Sequence, residues 1–273
     1  MSAVYPPERH MLRDLRLEFE HGDDGTSRAR LPVVAETCGP DGSVSIGAAA
    51  ILVDVIGGGR AAVAAQPDWI ATADLSLHLT RAVRDGYVEA RAHALRAGRT
   101  TVVIEVGLRD AHERDVGIAT MSFSVLPRRE TNLDVGGIRA SGWSAMAGAG
   151  SGMRAPLVDE LGLSVVDAAG GVVDVPVLDW SRNSMGAMQG GAVGAVAAAA
   201  AEIACNAGDG EPLVATDLQL TYLSFGKVGP IRTKVDVQHR GPDRAVANVE
   251  LVDVGSERRR TSVARVVATR PLP

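Results

Sequence analysis

Apolar residues fall into two recurring patterns along the chain. Two stretches have almost no polar face: GAAAILVDVIGGGRAAVAA from residue 47 and GAVGAVAAAAAEIACNA from residue 191. Both are of helical length and lack the polar stripe of a surface helix, which predicts two enclosed helices. After the first come YVEARAHAL (87–95), TTVVIEVGL (100–108) and ATMSFSVL (119–126). After the second come IRTKVDVQH (231–239), AVANVELVD (245–253) and SVARVVAT (262–269). These β-rich or alternating runs, bounded by Gly or charged turns, predict half-buried antiparallel strands. Upstream of each helix an opening strand region (15–19; 161–166) leads to an extended segment around Pro32 or Pro176 and then a Gly-containing loop. A strand pair, one apolar helix and a meander make an α+β layer in which a sheet wraps a helix.

The two halves repeat each other. TADLSLHLTRAVRDG (72–86) resembles ATDLQLTYLSFGKVG (215–229), and Asp74/Asp217, Leu77/Leu220, Gly86/Gly229, Gly98/Gly241 and Asp110/Asp253 all pair at a spacing of 143. Upstream, Pro32/Pro176, Gly42/Gly186 and Gly47/Gly191 pair at 144, as do Pro127/Pro271 downstream, so short indels separate the blocks. The expected organisation is an N-terminal repeat over residues 1–127, a Gly/Ser/Ala-rich linker over 128–152 and a C-terminal repeat over 153–273. Trp143 and Met146 are expected to tack the linker onto the body.

Composition narrows the classes. With 46% hydrophobic but only 3% aromatic residues, the core has to be built from Ala, Val, Leu and Ile. The net charge of −5 argues against nucleic-acid binding, which usually uses a basic face. Cys38 and Cys205 are the only cysteines and have no metal-type spacing, so no metal and no cofactor are expected. The start of the chain lacks a basic segment followed by an apolar core. The run 192–201 is about half the length of a membrane span. The expectation is a cytoplasmic protein with no membrane or nucleic-acid partner.

The second loop reads NSMGAMQGG, from Asn183 to Gly191. Followed by an enclosed helix and a meander, it resembles the hotdog thioesterase superfamily, nearest the phenylacetyl-CoA and 4-hydroxybenzoyl-CoA types. The resemblance covers both repeats and leaves out the N-terminal tail and the linker. It implies a double hotdog with the sheets joined edge to edge and active sites between the partners. It also implies an acid on the helix eight positions after the first Gly of the Gly-Gly pair. In the first repeat that position is Asp54, but Gly39, Ser45 and Ile46 stand where Asn, Gln and Gly belong. In the second repeat the loop is complete and the position is Ala198. Since such sites combine one partner's loop with the other's acid, one composite site is expected to survive.

The implied chemistry is hydrolysis of an acyl-CoA or related thioester. The Gly190 N–H, at a helix start, would receive the oxyanion, and Gly190 and Gly191 would let the substrate approach the backbone. Asp54 would act as general base or as nucleophile, oriented with the water by Asn183 and Gln189. Arg96, Arg99, Arg240 and Arg244, near sheet turns, are candidates for the phosphates of CoA. Each has a bland reading: Asp54 as a structural acid, the glycines as a tight loop, Asn183 as a turn residue and the arginines as solvated turns. Glu202 reads as a solvated helix end or a displaced acid. Asp74 and Asp217, present in both repeats, read as structural. His78, His93 and His239 have no partner pattern.

Two other functions fit the pattern. A non-catalytic acyl-CoA binding or sensing protein would also lose half the motif in each repeat. A hotdog dehydratase or hydratase needs a histidine near the Gly loop or on the helix, and neither repeat has one. The acyl group is not legible, and the fused pair is either sufficient alone or pairs again as a homodimer.

Overall fold

The computed structural model describes residues 5–21, 26–128, 142–208 and 210–273. The first half opens with a short helix α1 (Met11–Asp14) and strands β1 (Glu18–His21) and β2 (Ser27–Pro32). Helix α2 (Ile46–Ala65) and strands β3 (Trp69–Leu79), β4 (Tyr87–Ala97), β5 (Thr101–Asp110) and β6 (Asp115–Leu126) follow. A two-residue strand β7 (Ser144–Ala145) precedes the second half. There the same order of elements recurs: α3 (Leu157–Glu160), β8 (Ser164–Asp167), β9 (Val172–Val175), α4 (Gly190–Cys205), β10 (Val214–Tyr222), β11 (Ile231–Arg240), β12 (Arg244–Asp253) and β13 (Arg259–Thr269).

All strands belong to one antiparallel sheet in the order β7-β1-β2-β4-β5-β6-β3-β10-β13-β12-β11-β9-β8. The halves join where β3 pairs with β10, with Leu77 opposite Leu218 and Leu75 opposite Leu220. Alternation along these strands sends Leu75, Leu77, Leu218 and Leu220 inward, all fully buried, and leaves Ser76, His78 and Gln219 on the outer face.

The two long helices lie against each other and against the inner face, which explains why neither has a polar side. Their contact is close enough to demand small residues. A Cβ on Gly47 would stand 2.9 Å from the Ala195 Cβ, and one on Gly191 would stand 2.4 Å from the Ile51 Cα. Gly47/Gly191 and Ile51/Ala195 are the same pairs at spacing 144, so the same local contact is made twice. By length and composition α2 could cross a membrane, but 72% of its apolar window is buried inside this body.

Three expectations change. The residues around the start are not an appended tail: Met11, Leu15 and Leu17 are core residues, and the Trp180 indole N–H donates to buried Asp14 at 2.8 Å. Leu15–Leu17 precede β1 instead of forming a strand, because α1 turns the chain there. The later part of the expected linker is also built in. β7 pairs with β1, the Arg30 guanidinium stacks 3.9 Å above the Trp143 ring, and Arg13 donates to the Met146 carbonyl at 2.6 Å. Linker residues 129–141 lie outside the described residues.

Candidate active site

The two Gly loops have the same backbone. Gly42 and Gly186 both have positive φ, 75° and 74°, a conformation that glycine adopts without strain. Ser45 N–H donates to the Thr37 carbonyl as Gln189 N–H donates to that of Ser181. Each loop ends in an N-cap. The Ser45 hydroxyl accepts from Ala48 N–H at 3.2 Å, and Gln189 Oε1 accepts from Ala192 N–H at 2.8 Å.

Those caps differ in reach. With Oε1 held by Ala192, the other end of the Gln189 amide points across the helix pair, and Nε2 donates to Asp54 Oδ2 at 2.5 Å. The Thr72 hydroxyl donates to Asp54 Oδ1 at 3.1 Å, and the Gly191 N–H donates to the same carboxylate. Asp54 lies mid-helix and is 8% exposed. Burial pushes its carboxyl up to about 6, and the Thr72, Gly191 and Gln189 hydrogen bonds hold it from rising further. A Cβ on Gly190 would lie 2.8 Å from Asp54 Oδ1, so glycine is what lets the carboxylate sit over the start of α4.

Gly191 and Ala192 each give their N–H to a side chain, whereas the Gly190 N–H has no partner among the described residues. Its own carbonyl accepts from the Tyr222 hydroxyl at 2.8 Å. Burial, then the charge of Asp54, keeps the Tyr222 phenol well above its ordinary value, so it stays a donor. A cavity of about 470 Å³ opens at this point, with Asp54, Thr72, Gln189, Gly190 and Tyr222 in its wall.

Of the residues expected from the sequence, Asp54, Gln189, Gly190 and Gly191 therefore come together. Asn183 lines the cavity but points into its own loop, where Oδ1 accepts from Met185 N–H at 2.9 Å and Ala187 N–H at 3.1 Å. Thr72 supplies the contact to Asp54 that sequence assigned to Asn183. Arg96 and Arg99 flank the β4–β5 turn, Arg240 and Arg244 the β11–β12 turn, and none of the four lines the cavity. Asp217 is on the outer face, 2.6 Å from His78 Nδ1, and Asp74 is there too, bonded to Ser122.

Thr72, Tyr222 and Tyr5, which also lines the cavity, were missed. A signal existed for the first two. At spacing 143 Thr72 matches Ala215 and Tyr222 matches Leu79, so polar groups stand only on the side of this cavity. Tyr5 lies outside the repeated segments and had none.

The mirror position is closed. Ala198 stands where the acid would be, and the space between Ser45 and Glu202 is about 20 Å³. Glu202 is not a solvated helix end. Its carboxylate accepts the Ala215 N–H at 2.7 Å, and burial pushes its carboxyl up to about 7.

Residues 41–116 match the family model described as the thioesterase superfamily, a segment that includes α2 and Asp54. No curated protein matches the chain. Among solved structures, a Lactobacillus plantarum protein assigned as an oleoyl thioesterase is similar over 91% of this chain and 97% of its own, with 8% identity and a TM-score of 0.62. A Thermobifida fusca protein assigned as a thioesterase II is similar over 92% and 94%, with 15% identity and a TM-score of 0.57. An acyl-ACP thioesterase from Bacteroides thetaiotaomicron is similar over 90% and 98%, with 9% identity and a TM-score of 0.52. These likenesses concern the fold across nearly the whole length, while the sequence match lies in the first half. The sequence match to the thioesterase superfamily thus holds for residues 41–116, and the likeness of the whole chain to these structures is one of fold.

Proposed function

We propose that the chain is a tandem double hotdog, with repeats at 1–127 and 153–273, that hydrolyses an acyl-CoA at one composite site. The observation that carries this reading is the 2.5 Å contact between Gln189, from the loop of the second repeat, and Asp54, from the helix of the first. Neither repeat holds both groups, and in the second combination Ala198 replaces the acid and the space beside Ser45 is about 20 Å³.

In this reading the thioester carbonyl lies at the start of α4 with its oxygen on the Gly190 N–H, where the helix dipole favours negative charge. Ionised Asp54 takes a proton as water attacks the carbonyl carbon. The tetrahedral intermediate collapses with cleavage of the C–S bond, and the proton passes to the departing CoA sulfur, leaving the free acid. Direct attack by the carboxylate, with water cleaving the resulting anhydride, uses the same contacts and gives the same products. A carboxylate already holding three donors is also what a non-catalytic acyl-CoA binding protein would use to tolerate a buried acid.

Thiol release from a panel of short, long, branched and aromatic acyl-CoAs separates these readings. The thioesterase reading predicts hydrolysis by the wild type that collapses in Asp54→Asn and persists in Asp217→Asn. Binding without any thiol release would favour the binding protein.

A further inference from the structure

The cavity extends from Asp54 along one face of α2. Asp54, Gly58, Gly59 and Ala62 line it, one helical turn apart in pairs, and Trp69 and Leu126 line it as well. The three consecutive glycines are not equivalent. A Cβ on Gly57 would lie 2.8 Å from Met121 Sδ, so packing against the sheet explains that residue. A Cβ on Gly58 would meet only the Phe123 ring, at 3.9 Å, and one on Gly59 would meet nothing within 4 Å. Neither has a positive φ, so backbone conformation does not require glycine there either. Glycine weakens a helix relative to alanine. What Gly58 and Gly59 leave in return is open cavity.

We propose that this stripe is the acyl arm of the site, that it takes a straight alkyl chain of about eight to ten carbons, and that Gly58 and Gly59 hold it open. The proposal rests on the thioesterase reading for which end of the ligand lies at Asp54. The length follows from the helix: eight residues from Asp54 to Ala62 rise about 12 Å, the reach of an extended chain of about that many carbons. A benzoyl or phenylacetyl ring would fill only the near part and leave the region of Ala62 and Trp69 empty.

The test uses S-alkyl-CoA thioethers from ethyl to hexadecyl, which bind without being hydrolysed, titrated by calorimetry beside hydrolysis of the matching acyl-CoAs. For the wild type, affinity should rise by up to about fourfold per methylene, the worth of burying one, and level off at about eight to ten carbons. Gly58→Leu, one turn from Asp54, should level off at about four or five carbons, and Ala62→Leu, two turns away, between the two. If Gly58→Leu does not fold, Gly59→Leu, with nothing within 4 Å of its Cβ, carries the same test. A Gly58→Leu profile parallel to wild type overturns the proposal. So does affinity independent of length, or an equal loss at every length including CoA itself, which would give the stripe to pantetheine. Length-dependent binding with no hydrolysis at all would keep the arm and refute the thioesterase reading. Asp54-dependent hydrolysis with an unmoved length profile would do the reverse.

Discussion

Gln189 and Asp54 are 135 residues apart in the chain, yet the amide of one donates to the carboxylate of the other at 2.5 Å. The contact depends on the amide's second role, because Oε1 is fixed as the N-cap of α4 and only Nε2 is left to face the acid. Replacing Gln189 by Ala removes a donor to the ionised form of Asp54. Its carboxyl should titrate about one to two units higher, and kcat/KM at pH 7 should fall by about twofold to fifteenfold, since a hydrogen bond to a charged group is worth about 1.5–3 kcal/mol. The check is a pH–rate profile, where a loss without displacement of the acidic limb would argue against an electrostatic role.

Hydrolysis by the wild type should itself rise with pH through about 6 and then flatten, because only the ionised form of Asp54 is a base or nucleophile. The same shift bears on stability. Its folded value is raised above the ordinary 3.8 of an aspartate, so the folded state binds the proton more tightly than the unfolded chain. The stabilising contribution is complete below about 3.8 and lost as pH rises through about 6. Across that window the wild type should lose about 3 kcal/mol relative to Asp54→Asn, which does not titrate. Denaturant unfolding of both proteins at pH 4 and pH 8 measures it.

The adjacent glycines should fail in different ways. A Cβ on Gly191 meets the backbone of α2 at 2.4 Å, which cannot yield, whereas one on Gly190 meets the Asp54 carboxylate at 2.8 Å. Gly191→Ala should therefore cost about 1–3 kcal/mol of stability by overpacking the helix pair. Gly190→Ala should displace Asp54, costing activity more than stability. Melting and thiol release on both variants distinguish these outcomes.

Glu202 tests whether the mirror position contributes. Glu202→Gln keeps an oxygen for the Ala215 N–H, and the space beside it is about 20 Å³. Hydrolysis should stay within about twofold of wild type, because the change lies on the far side of the helix pair. A large loss would mean that the mirror position carries most of the turnover.

Much of this arrangement was legible in the sequence, because the repeat supplied its own comparison. The faceless helices at 47 and 191 predicted enclosure, and the alternating runs fell on β4–β6 and β11–β13. Splitting the motif between Asp54 and the loop from Asn183 to Gly191 anticipated their meeting. The rest lay outside local pattern. Thr72 reaches Asp54 from a β-bulge between Thr72 and Asp74, and a bulge leaves no clear mark in the alternation. Asn183 has the residue type of a catalytic amide, but its oxygen is spent on two loop N–H groups. Nor could α1 be read as core, since Met11–Asp14 is too short to show a period, and Asp14 is buried only because Trp180 and Arg9 meet it there.

The central claim, one live site built from the acid of the first half and the loop of the second, is tested most directly by thiol release from octanoyl-CoA by wild type and Asp54→Asn at pH 8. The account predicts turnover by the wild type and a loss on the order of a hundredfold or more in the variant, as expected when a general base is removed. Turnover by Asp54→Asn at the wild-type rate would contradict it.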